Sequence, residues 1–388
     1  MSHPQDATGV LGAETPSSDY VPYRIDQLET PVPVVELDRL ECNLDRMAAY
    51  AAAHGLVLRP HVKTHKAPQI AAEQMRRGAL GLTCATAHEA AVMSEVADDI
   101  LVAYPPVGAA RLRRLMALPE RLRLTVALDT ADAVEGLAAA AREHGRPVRV
   151  YVELDFGMRR VGVQSAGEAV ALARLVRDRA PLEYAGIAFY PGHIREPVAE
   201  QDAKLAALGA SLDAALVELD RAGVPPEIVS GGSTPTALRT HELRGVTEVR
   251  PGTYVFNDRT TAEIGACGWE DCALTVLATV VSTAVPGQAV IDAGSKALGR
   301  EPLLAGAAPG RRDPGFGVLV EHPEVTVAGM SEEHGILDLS ATAWRPGVGE
   351  RVRVIPNHVC IVVHLNDLVH GVRGEMVETS WPVAARGR

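Results

Sequence analysis

Residues 122–154, LRLTVALDTADAVEGLAAAAREHGRPVRVYVEL, contain the pattern that identifies the class of fold. Two apolar runs of strand length, Leu122–Leu128 and Val148–Leu154, flank a helical run, Ala131–His144. A threonine before the helical run and a glycine after it are suited to begin and end a helix. Since strands joined through a helix pair in parallel, the stretch predicts one strand–helix–strand unit of a parallel sheet.

The same unit repeats from about residue 37 to about residue 255. Eight apolar runs that alternate with helical runs favour a (β/α)8 barrel over an open doubly wound sheet. The predicted strands are, in chain order, Leu56–Pro60, Leu80–Cys84, Ile100–Ala103, Leu122–Leu128, Val148–Leu154, Tyr184–Tyr190, Glu227–Ser230 and Thr247–Arg250.

The sequence after about residue 270 has a different pattern, in which β-rich runs are separated by Gly/Pro turns and no helix is evident. It predicts a second, C-terminal all-β domain, with Val359–Leu365 as one of its strands. Pro382–Arg388 is expected to form a loose tail. The predicted boundaries are 1–27 for an N-terminal extension, 28–265 for the barrel and 266–388 for the β domain, with 28–37 as a candidate addition to the β domain.

Composition excludes several classes of protein. The net charge is -11 and no long Lys/Arg cluster occurs, which argues against a nucleic-acid-binding protein. The five Cys are scattered and odd in number, so they indicate a reducing compartment rather than a disulfide framework. The N-terminus lacks the pattern of a signal peptide, and no uninterrupted apolar run is long enough to span a membrane. We therefore expect a cytoplasmic protein without a membrane segment.

Lys63 is the first candidate for chemistry. It follows the first predicted strand, within the stretch RPHVKTHK at residues 59–66, and the catalytic groups of such barrels lie at the C-terminal ends of strands. Burial there disfavours the ammonium form, and a neutral amine can form a Schiff base. The alternative is a surface lysine in a loop. The flanking histidines, His61 among them, and the presence of only four lysines in the chain favour a functional role.

Two loops predict a phosphate site. The stretch SGGSTP, residues 230–235, follows the seventh strand, and paired glycines with hydroxyls there form a nest of backbone amides. The stretch RPGTY, residues 250–254, follows the eighth strand and adds a guanidinium, amides and a phenol. An ordinary glycine turn is the alternative. The candidate residues are Gly232, Ser233, Thr234, Arg250, Gly252 and Tyr254.

His358 and Cys360 form a candidate metal pair. On a strand, residues two apart point to the same side, so both side chains would reach one ion. Zn²⁺ suits imidazole and thiolate ligands, and two protein ligands leave positions open as catalysis requires. The alternative is a core cysteine beside a hydrogen-bonded histidine.

Three further residues lie at strand ends. Arg160 follows the fifth strand in DFGMRRVGV, where it would bind a substrate carboxylate, or form a surface salt bridge. Tyr190 and His193 end the sixth strand in YPGH and would supply an aromatic face and an imidazole. The alternative for His193 is a loop histidine in solvent.

The motifs together resemble the D-serine dehydratase / D-threonine aldolase family. These are pyridoxal 5'-phosphate (PLP) enzymes of the alanine-racemase fold, and the resemblance runs in order from about residue 28 to about residue 375. The motifs that carry it are RPHVKTHK, DFGMRRVGV, SGGSTPT, VRPGTYVFND, DAGSKAL, EEHG and IPNHVC.

The resemblance implies roles for the candidate residues. Lys63 would be the Schiff-base lysine, and Tyr190 would lie near the cofactor ring. Arg160 would support the lysine or the substrate carboxylate. Arg250 matches the arginine that faces the pyridine nitrogen in alanine racemases. The cofactor phosphate would lie among Gly232, Ser233, Gly252 and Tyr254.

The same resemblance implies partners. His358 and Cys360 would hold a divalent metal that binds the substrate's β-hydroxyl, with Zn²⁺ expected and Mn²⁺ or Mg²⁺ as alternatives. The substrate would be a small D-amino acid, and the enzyme a homodimer with sites near the subunit contact.

The expected reaction is elimination of water from a D-3-hydroxy amino acid to give a keto acid and ammonia. The alternative is retro-aldol cleavage to glycine and an aldehyde. The aldolases carry His-x-Asp where this chain has His358-x-Cys360, and a histidine directly after the strand-six tyrosine, where this chain has Pro191. Both departures favour elimination, although His193 remains a candidate base for cleavage.

Two other functions are less well supported. A two-base racemase needs a tyrosine from the C-terminal domain, and no tyrosine follows Tyr254. Non-catalytic PLP-binding proteins resemble the barrel alone, whereas this chain has an added β domain with a candidate metal pair.

Overall fold

The computed structural model describes residues 22–303 and 314–387. Most of the predicted N-terminal extension, residues 1–21, lies outside these ranges. Within them, no helix has the length and apolar character that spanning a bilayer demands.

The described chain starts with β1 (Tyr23–Arg24), β2 (Val32–Glu36) and α1 (Leu37–Ala53) and then enters a parallel sheet of eight strands. The spatial order of these strands is β3, β10, β9, β8, β7, β6, β5, β4. Their bounds are β3 (Val57–Leu58), β4 (Leu82–Cys84), β5 (Asp99–Val102), β6 (Arg123–Leu128), β7 (Val148–Glu153), β8 (Leu182–Ala188), β9 (Ile228–Gly231) and β10 (Glu248–Val249).

The sheet closes on itself. His61, just after β3, forms a parallel bridge with Thr83 of β4, and the Val62 N–H donates to the Thr83 carbonyl at 2.9 Å. The first and last strands of the order are thereby joined. The predicted (β/α)8 barrel is confirmed, and each of the eight predicted strands overlaps a strand of the structure.

Helices connect the barrel strands, and their ends follow local capping chemistry. The Thr130 hydroxyl accepts from the Ala133 amide at the start of the helix between β6 and β7. Ser165 and Glu168 form a capping box on the next helix. The bounds are α2 (Pro68–Arg76), α3 (Ala87–Met93), α4 (Ala109–Met116), α5 (Ala131–Glu143), α6 (Ala166–Arg177), α7 (Asp202–Arg221) and α8 (Arg259–Glu263). Short 3-10 helices cover Ile25–Gln27, Val198–Glu200, Thr234–Glu242, Thr253–Val255 and Trp269–Asp271.

The C-terminal part forms a second, mostly antiparallel sheet of ten strands. Within this sheet, β2 pairs antiparallel with the strand Leu274–Ser282 and parallel with the strand Leu368–Arg373. A strand that precedes the barrel in the chain therefore belongs to the second sheet. The bounds are β11 (Leu274–Ser282), β12 (Gln288–Ile291), α9 (Ser295–Leu298), β13 (Gly317–Leu319), β14 (Val327–Met330), β15 (Gly335–Asp338), β16 (Arg351–Pro356), α10 (Val359–Leu365), β17 (Leu368–Arg373) and β18 (Met376–Pro382).

Two local predictions are wrong. The run Val359–Leu365, predicted as a strand, is the helix α10, and its buried residues Val359, Val362 and Val363 have helical spacing. Residues 382–387 of the predicted tail are not loose, because Ala385 is fully buried and its amide donates to the Lys66 carbonyl at 3.0 Å. The C-terminal segment therefore docks on the loop that carries Lys63.

Candidate active site

The cleft at the C-terminal mouth of the barrel brings most of the predicted residues together. The space between the lining side chains has a volume of about 80 Å³. Four other residues, Ala103, Glu153, Pro235 and Thr253, complete its lining. The predicted residues that line it are His61, Lys63, Arg160, Tyr190, Gly232, Ser233, Thr234, Arg250 and Gly252.

Lys63 lies in the loop after β3, and Tyr190 lies opposite it. The Lys63 Nζ is 5.8 Å from the centroid of the Tyr190 ring, and the Arg160 guanidinium carbon is 4.9 Å from the same centroid. Burial lowers the pKa of His61 well below its usual value, and the Lys63 charge lowers it further, so this imidazole is neutral at pH 7.

The loop after β9 is shaped for an anion. Gly232 has φ +93, a conformation that favours glycine. Ser233, the next residue, is buried and precedes the 3-10 helix Thr234–Glu242. Pro235 has no N–H and the Thr236 amide donates to the Ser233 carbonyl at 3.1 Å, so the Thr234 amide is the one without an intrahelical acceptor. A Cβ on Gly252 would lie 2.9 Å from Thr64 Oγ1. Only glycine therefore lets the loop after β10 come this close to residues 59–66, which contain Lys63 and are called the lysine loop below.

Arg250 supplies a buried donor without an acceptor. Its Nη2 donates to the Phe189 carbonyl at 2.9 Å, whereas its Nε has no hydrogen-bond partner among the described residues. Burial lowers the pKa of Arg250, and the carboxylates of Glu153 and Glu248 oppose this effect. Since a buried unsatisfied N–H is costly, the Nε identifies a position where a bound ring nitrogen would be favourable.

Glu153 was missed by the sequence analysis. It is the last residue of β7, it lines the cleft, and burial raises the pKa of its carboxyl against the opposing charges of Arg250 and Arg160. Its place at the C-terminal end of a barrel strand is a signal that would have identified it.

Two residues predicted to belong to the site, Tyr254 and His193, have side chains outside the cleft. The Tyr254 backbone amide donates to Thr234 Oγ1 at 3.2 Å, but its phenol accepts from Gln74 Nε2 at 3.0 Å in the core. His193 is not among the residues lining the cleft, and a Cβ on Gly157 would lie 3.0 Å from its Nε2. The structure thus places the Tyr254 phenol and the His193 ring outside the cleft lining.

The candidate metal pair, His358 and Cys360, lies at a helix N-terminus rather than on a strand. His358 is the extended N-cap residue of α10, with φ -147, and Cys360 lies in the first turn. His358 Nδ1 hydrogen-bonds Asp258 Oδ2 at 2.9 Å, and Cys360 Sγ donates to Thr64 Oγ1 at 3.3 Å. Because Thr64 follows Lys63, the pair borders the lysine loop.

Electrostatics couple the two side chains of the pair. Burial alone would raise the pKa of Cys360, but the charge and hydrogen bond of His358 outweigh it and lower the pKa to about 7. The negative charge of Cys360 in turn raises the pKa of His358. A divalent cation bound by both side chains would displace their protons.

Asp258 is a second residue that the sequence analysis missed. It is fully buried, and a carboxylate on the far nitrogen of a histidine fixes the ring for metal binding. Residues 22–303 and 314–387 contain no cluster of three or more His, Cys, Asp or Glu suited to hold a metal. Two protein donors alone would leave coordination positions open for water and substrate.

Comparisons with known proteins agree on one family. Residues 35–260 match the family model "Alanine racemase, N-terminal domain", and residues 273–372 match "Putative serine dehydratase domain". The chain is 38% identical to a D-threo-3-hydroxyaspartate dehydratase of Delftia sp., over 86% of this chain and 91% of that protein. It is 31% identical to a D-threonine aldolase of Arthrobacter sp., over 93% of each chain.

A solved structure extends the likeness to three dimensions. A cysteine-to-alanine mutant of a D-threo-3-hydroxyaspartate dehydratase, in its metal-free form, superposes with a TM-score of 0.84 at 33% identity, covering 94% of this chain and 100% of that chain.

Proposed function

The chain belongs to the family that joins an alanine racemase N-terminal domain to a serine dehydratase domain, and from this premise we propose that it eliminates water from D-3-hydroxy amino acids. Membership makes it a PLP-dependent lyase. The products would be a keto acid and ammonia.

The proposal rests on one observation, the arrangement of side chains around the cleft. A single cleft places the Lys63 amine, the unpartnered Arg250 Nε and the Ser233 loop around one space, and Thr64 links this space to the His358–Cys360 pair. A cofactor aldehyde, a ring nitrogen, a phosphate and a divalent cation each find a matching group.

The residues present fit the cofactor. Lys63 would hold its aldehyde carbon, the Arg250 Nε would donate to its ring nitrogen, and Ser233 and Thr234 would contact its phosphate. When bound, PLP supplies an electron sink for the carbanion formed at the substrate's Cα.

Residues in and beside the cleft would perform the acid–base catalysis and bind the substrate. Lys63 is the amine placed to take the Cα proton. Arg160 offers a planar pair of donors to the substrate carboxylate. His358 and Cys360 would hold a cation that polarises the β-hydroxyl and makes it a better leaving group.

The position of His193 favours elimination over retro-aldol cleavage. Cleavage needs a base for the β-hydroxyl proton, and His193 was the candidate for that role. Its ring lies against Gly157 and outside the cleft lining, with Nδ1 buried and without a partner in the described part of the chain.

A product assay tests the proposal. The purified enzyme with PLP and added divalent metal is incubated with D-threo-3-hydroxyaspartate, D-serine and D-threonine. Keto acid and ammonia are measured separately from glycine and aldehyde. Keto acid and ammonia in equal amounts support elimination, whereas glycine with an aldehyde as the main products would establish the aldolase function instead.

We further propose that the ion is Zn²⁺, because Zn²⁺ prefers imidazole and thiolate ligands. We also propose that the enzyme is a homodimer and that it is cytoplasmic. Elemental analysis of the purified enzyme tests the ion, with Mn²⁺ or Mg²⁺ as the contrary result. Light scattering after gel filtration tests the dimer.

A further inference from the structure

A pair of cysteines lies outside the cleft and has no part in the proposed reaction. Cys267 and Cys272 flank the 3-10 helix Trp269–Asp271, and both are free thiols. Cys272 is fully buried in a small apolar cluster with Ala262, Val318 and Ile355, and Cys267 packs against this cluster while remaining partly exposed.

The two thiols lie five residues apart in the chain, and Cys267 packs against the four-residue cluster that contains Cys272. A hydrogen bond from Cys272 lowers the pKa of Cys267, and the same bond raises the pKa of Cys272. The partly exposed sulfur is therefore the better nucleophile and oxidant target, and the buried sulfur is placed to resolve it.

The loop that holds the pair is fixed at both sides. The Asp271 carboxylate accepts from the Gly268 amide at 2.9 Å and pairs with Arg46 at 2.6 Å. The Cys272 carbonyl accepts from Arg39 Nη1 at 3.1 Å. The two cysteines are thus carried on one short loop that is tethered at both sides.

We propose that Cys267 and Cys272 form a reversible intrachain disulfide when the enzyme meets a peroxide. The Cys267 sulfur attacks one peroxide oxygen, the O–O bond breaks, and one water leaves with Cys267 as a sulfenic acid. The Cys272 sulfur then attacks the Cys267 sulfur, the S–O bond breaks, and hydroxide leaves as water with the Cys272 proton. Both sulfurs are oxidised and both peroxide oxygens are reduced.

A hydrogen-bond chain connects this pair to the metal pair. The Cys267 thiol donates to Thr261 Oγ1 at 3.5 Å, Thr261 Oγ1 donates to Asp258 Oδ1 at 3.1 Å, and Asp258 Oδ2 bonds His358 at 2.9 Å. Disulfide formation removes the first donor of this chain. Resting on the proposed metal function, we expect oxidation to weaken the orientation of His358 and to speed metal release several-fold.

Peptide mapping tests the disulfide without reference to activity. The holoenzyme is treated with hydrogen peroxide, alkylated without reductant and digested with trypsin. Cleavage after Arg259 and Lys296 yields a peptide, residues 260–296, that contains these two cysteines and no other. The proposal expects this peptide to lack both alkyl groups and two hydrogens, and to regain alkylation after dithiothreitol.

Matched variants sharpen the test. Cys267→Ser and Cys267→Ala should both abolish the oxidised peptide, while Cys42→Ser, at an exposed cysteine of α1, should leave it unchanged. If the peptide stays fully alkylated, or carries a sulfinic acid at Cys267, at peroxide doses that oxidise Cys42, the proposal is overturned.

Metal release into a chromogenic chelator tests the coupling. The oxidised enzyme should lose metal several-fold faster than the same sample after reduction, and Cys267→Ser should show no change with peroxide. Equal rates in the oxidised and reduced enzyme, with the disulfide present, would overturn the coupling. A failed lyase assay would leave the peptide result untouched, so the two proposals fail separately.

Discussion

Lys63 is the residue on which the cofactor proposal depends most directly. We expect Lys63→Ala to abolish both turnover and the visible absorption of the cofactor–lysine Schiff base, because no other lysine lines the cleft among the described residues. The absorption spectrum of the variant with added PLP checks this. Lys204→Ala is the matched control, since Lys204 forms only an exposed pair with Glu196. A visible band retained in Lys63→Ala would contradict the assignment.

Ser233 tests the anion loop. Its hydroxyl lies 3.1 Å from Thr236 Oγ1 beside the cleft, and a lost hydrogen bond to the cofactor phosphate is worth about 1 kcal/mol. Ser233→Ala should therefore raise the dissociation constant of PLP about fivefold, and excess PLP should restore turnover. Ser211→Ala, at an exposed serine of α7, should leave the constant unchanged. Equal PLP affinity in both variants would argue against a phosphate at this loop.

Cys360 tests the metal pair independently of the cofactor. We expect Cys360→Ala to keep the visible absorption but to lose bound metal and about a hundredfold or more in turnover, since Lewis-acid assistance is worth several kcal/mol. Metal content and turnover with and without chelator are the measurements. Cys42→Ala, on the exposed face of α1, is the control. Full activity of Cys360→Ala in chelator would exclude metal assistance.

Some of these residues could be predicted from sequence and some could not. Lys63 and Ser233 follow apolar strands within short contiguous motifs, so position along the chain indicates their place at the barrel mouth. The carboxylate of Asp258 meets the ring of His358 across 100 residues, and only the folded chain brings them together. The Tyr254 phenol accepts from Gln74, 180 residues earlier in the chain, and the motif does not encode this contact.

Among the secondary structure elements, α10 shows why a short apolar run is ambiguous. VCIVVHL is rich in β-branched residues and resembles a buried strand, yet its buried side chains are spaced three and four apart. The helix places His358 at its N-cap and Cys360 in its first turn, so both candidate metal ligands lie beside the loop that carries Lys63.

The lysine loop and the C-terminal segment form a second linked pair of elements. Lys66 Nζ pairs with Glu89 at 2.5 Å and donates to the Ala385 carbonyl at 3.3 Å, with Lys66 and Glu89 side chains only 8% and 1% exposed. Removing one partner leaves a buried charge, so Lys66→Met should cost about 3–5 kcal/mol of unfolding free energy.

Urea unfolding of three variants checks this cost. Lys204→Met removes an exposed pair and should cost at most about 1 kcal/mol. The double variant Lys66→Met with Glu89→Gln should recover part of the loss, because the unpaired carboxylate is gone. A cost for Lys66→Met no larger than that for Lys204→Met would show that the segment does not depend on this pair.

Across the whole molecule, the barrel and the second sheet share one of their buried apolar clusters. Leu40 and Leu44 of α1 belong to the same buried cluster as Leu274 and Val276 of β11. The strand β2, which precedes the barrel in the chain, lies between β11 and β17 of the second sheet. Neither part keeps its apolar surface covered without the other, so we expect them to unfold together.

The positions of the tryptophans make this expectation measurable. The three Trp, at positions 269, 344 and 381, all lie beyond the barrel strands, whereas the barrel contributes most of the helix. Tryptophan fluorescence therefore reports mainly on the second sheet, and far-ultraviolet circular dichroism mainly on the barrel. In urea the two signals should give the same midpoint, because loss of the shared cluster exposes apolar surface on both sides. A fluorescence transition at lower urea than the circular dichroism transition would show that the second sheet unfolds while the barrel stays folded.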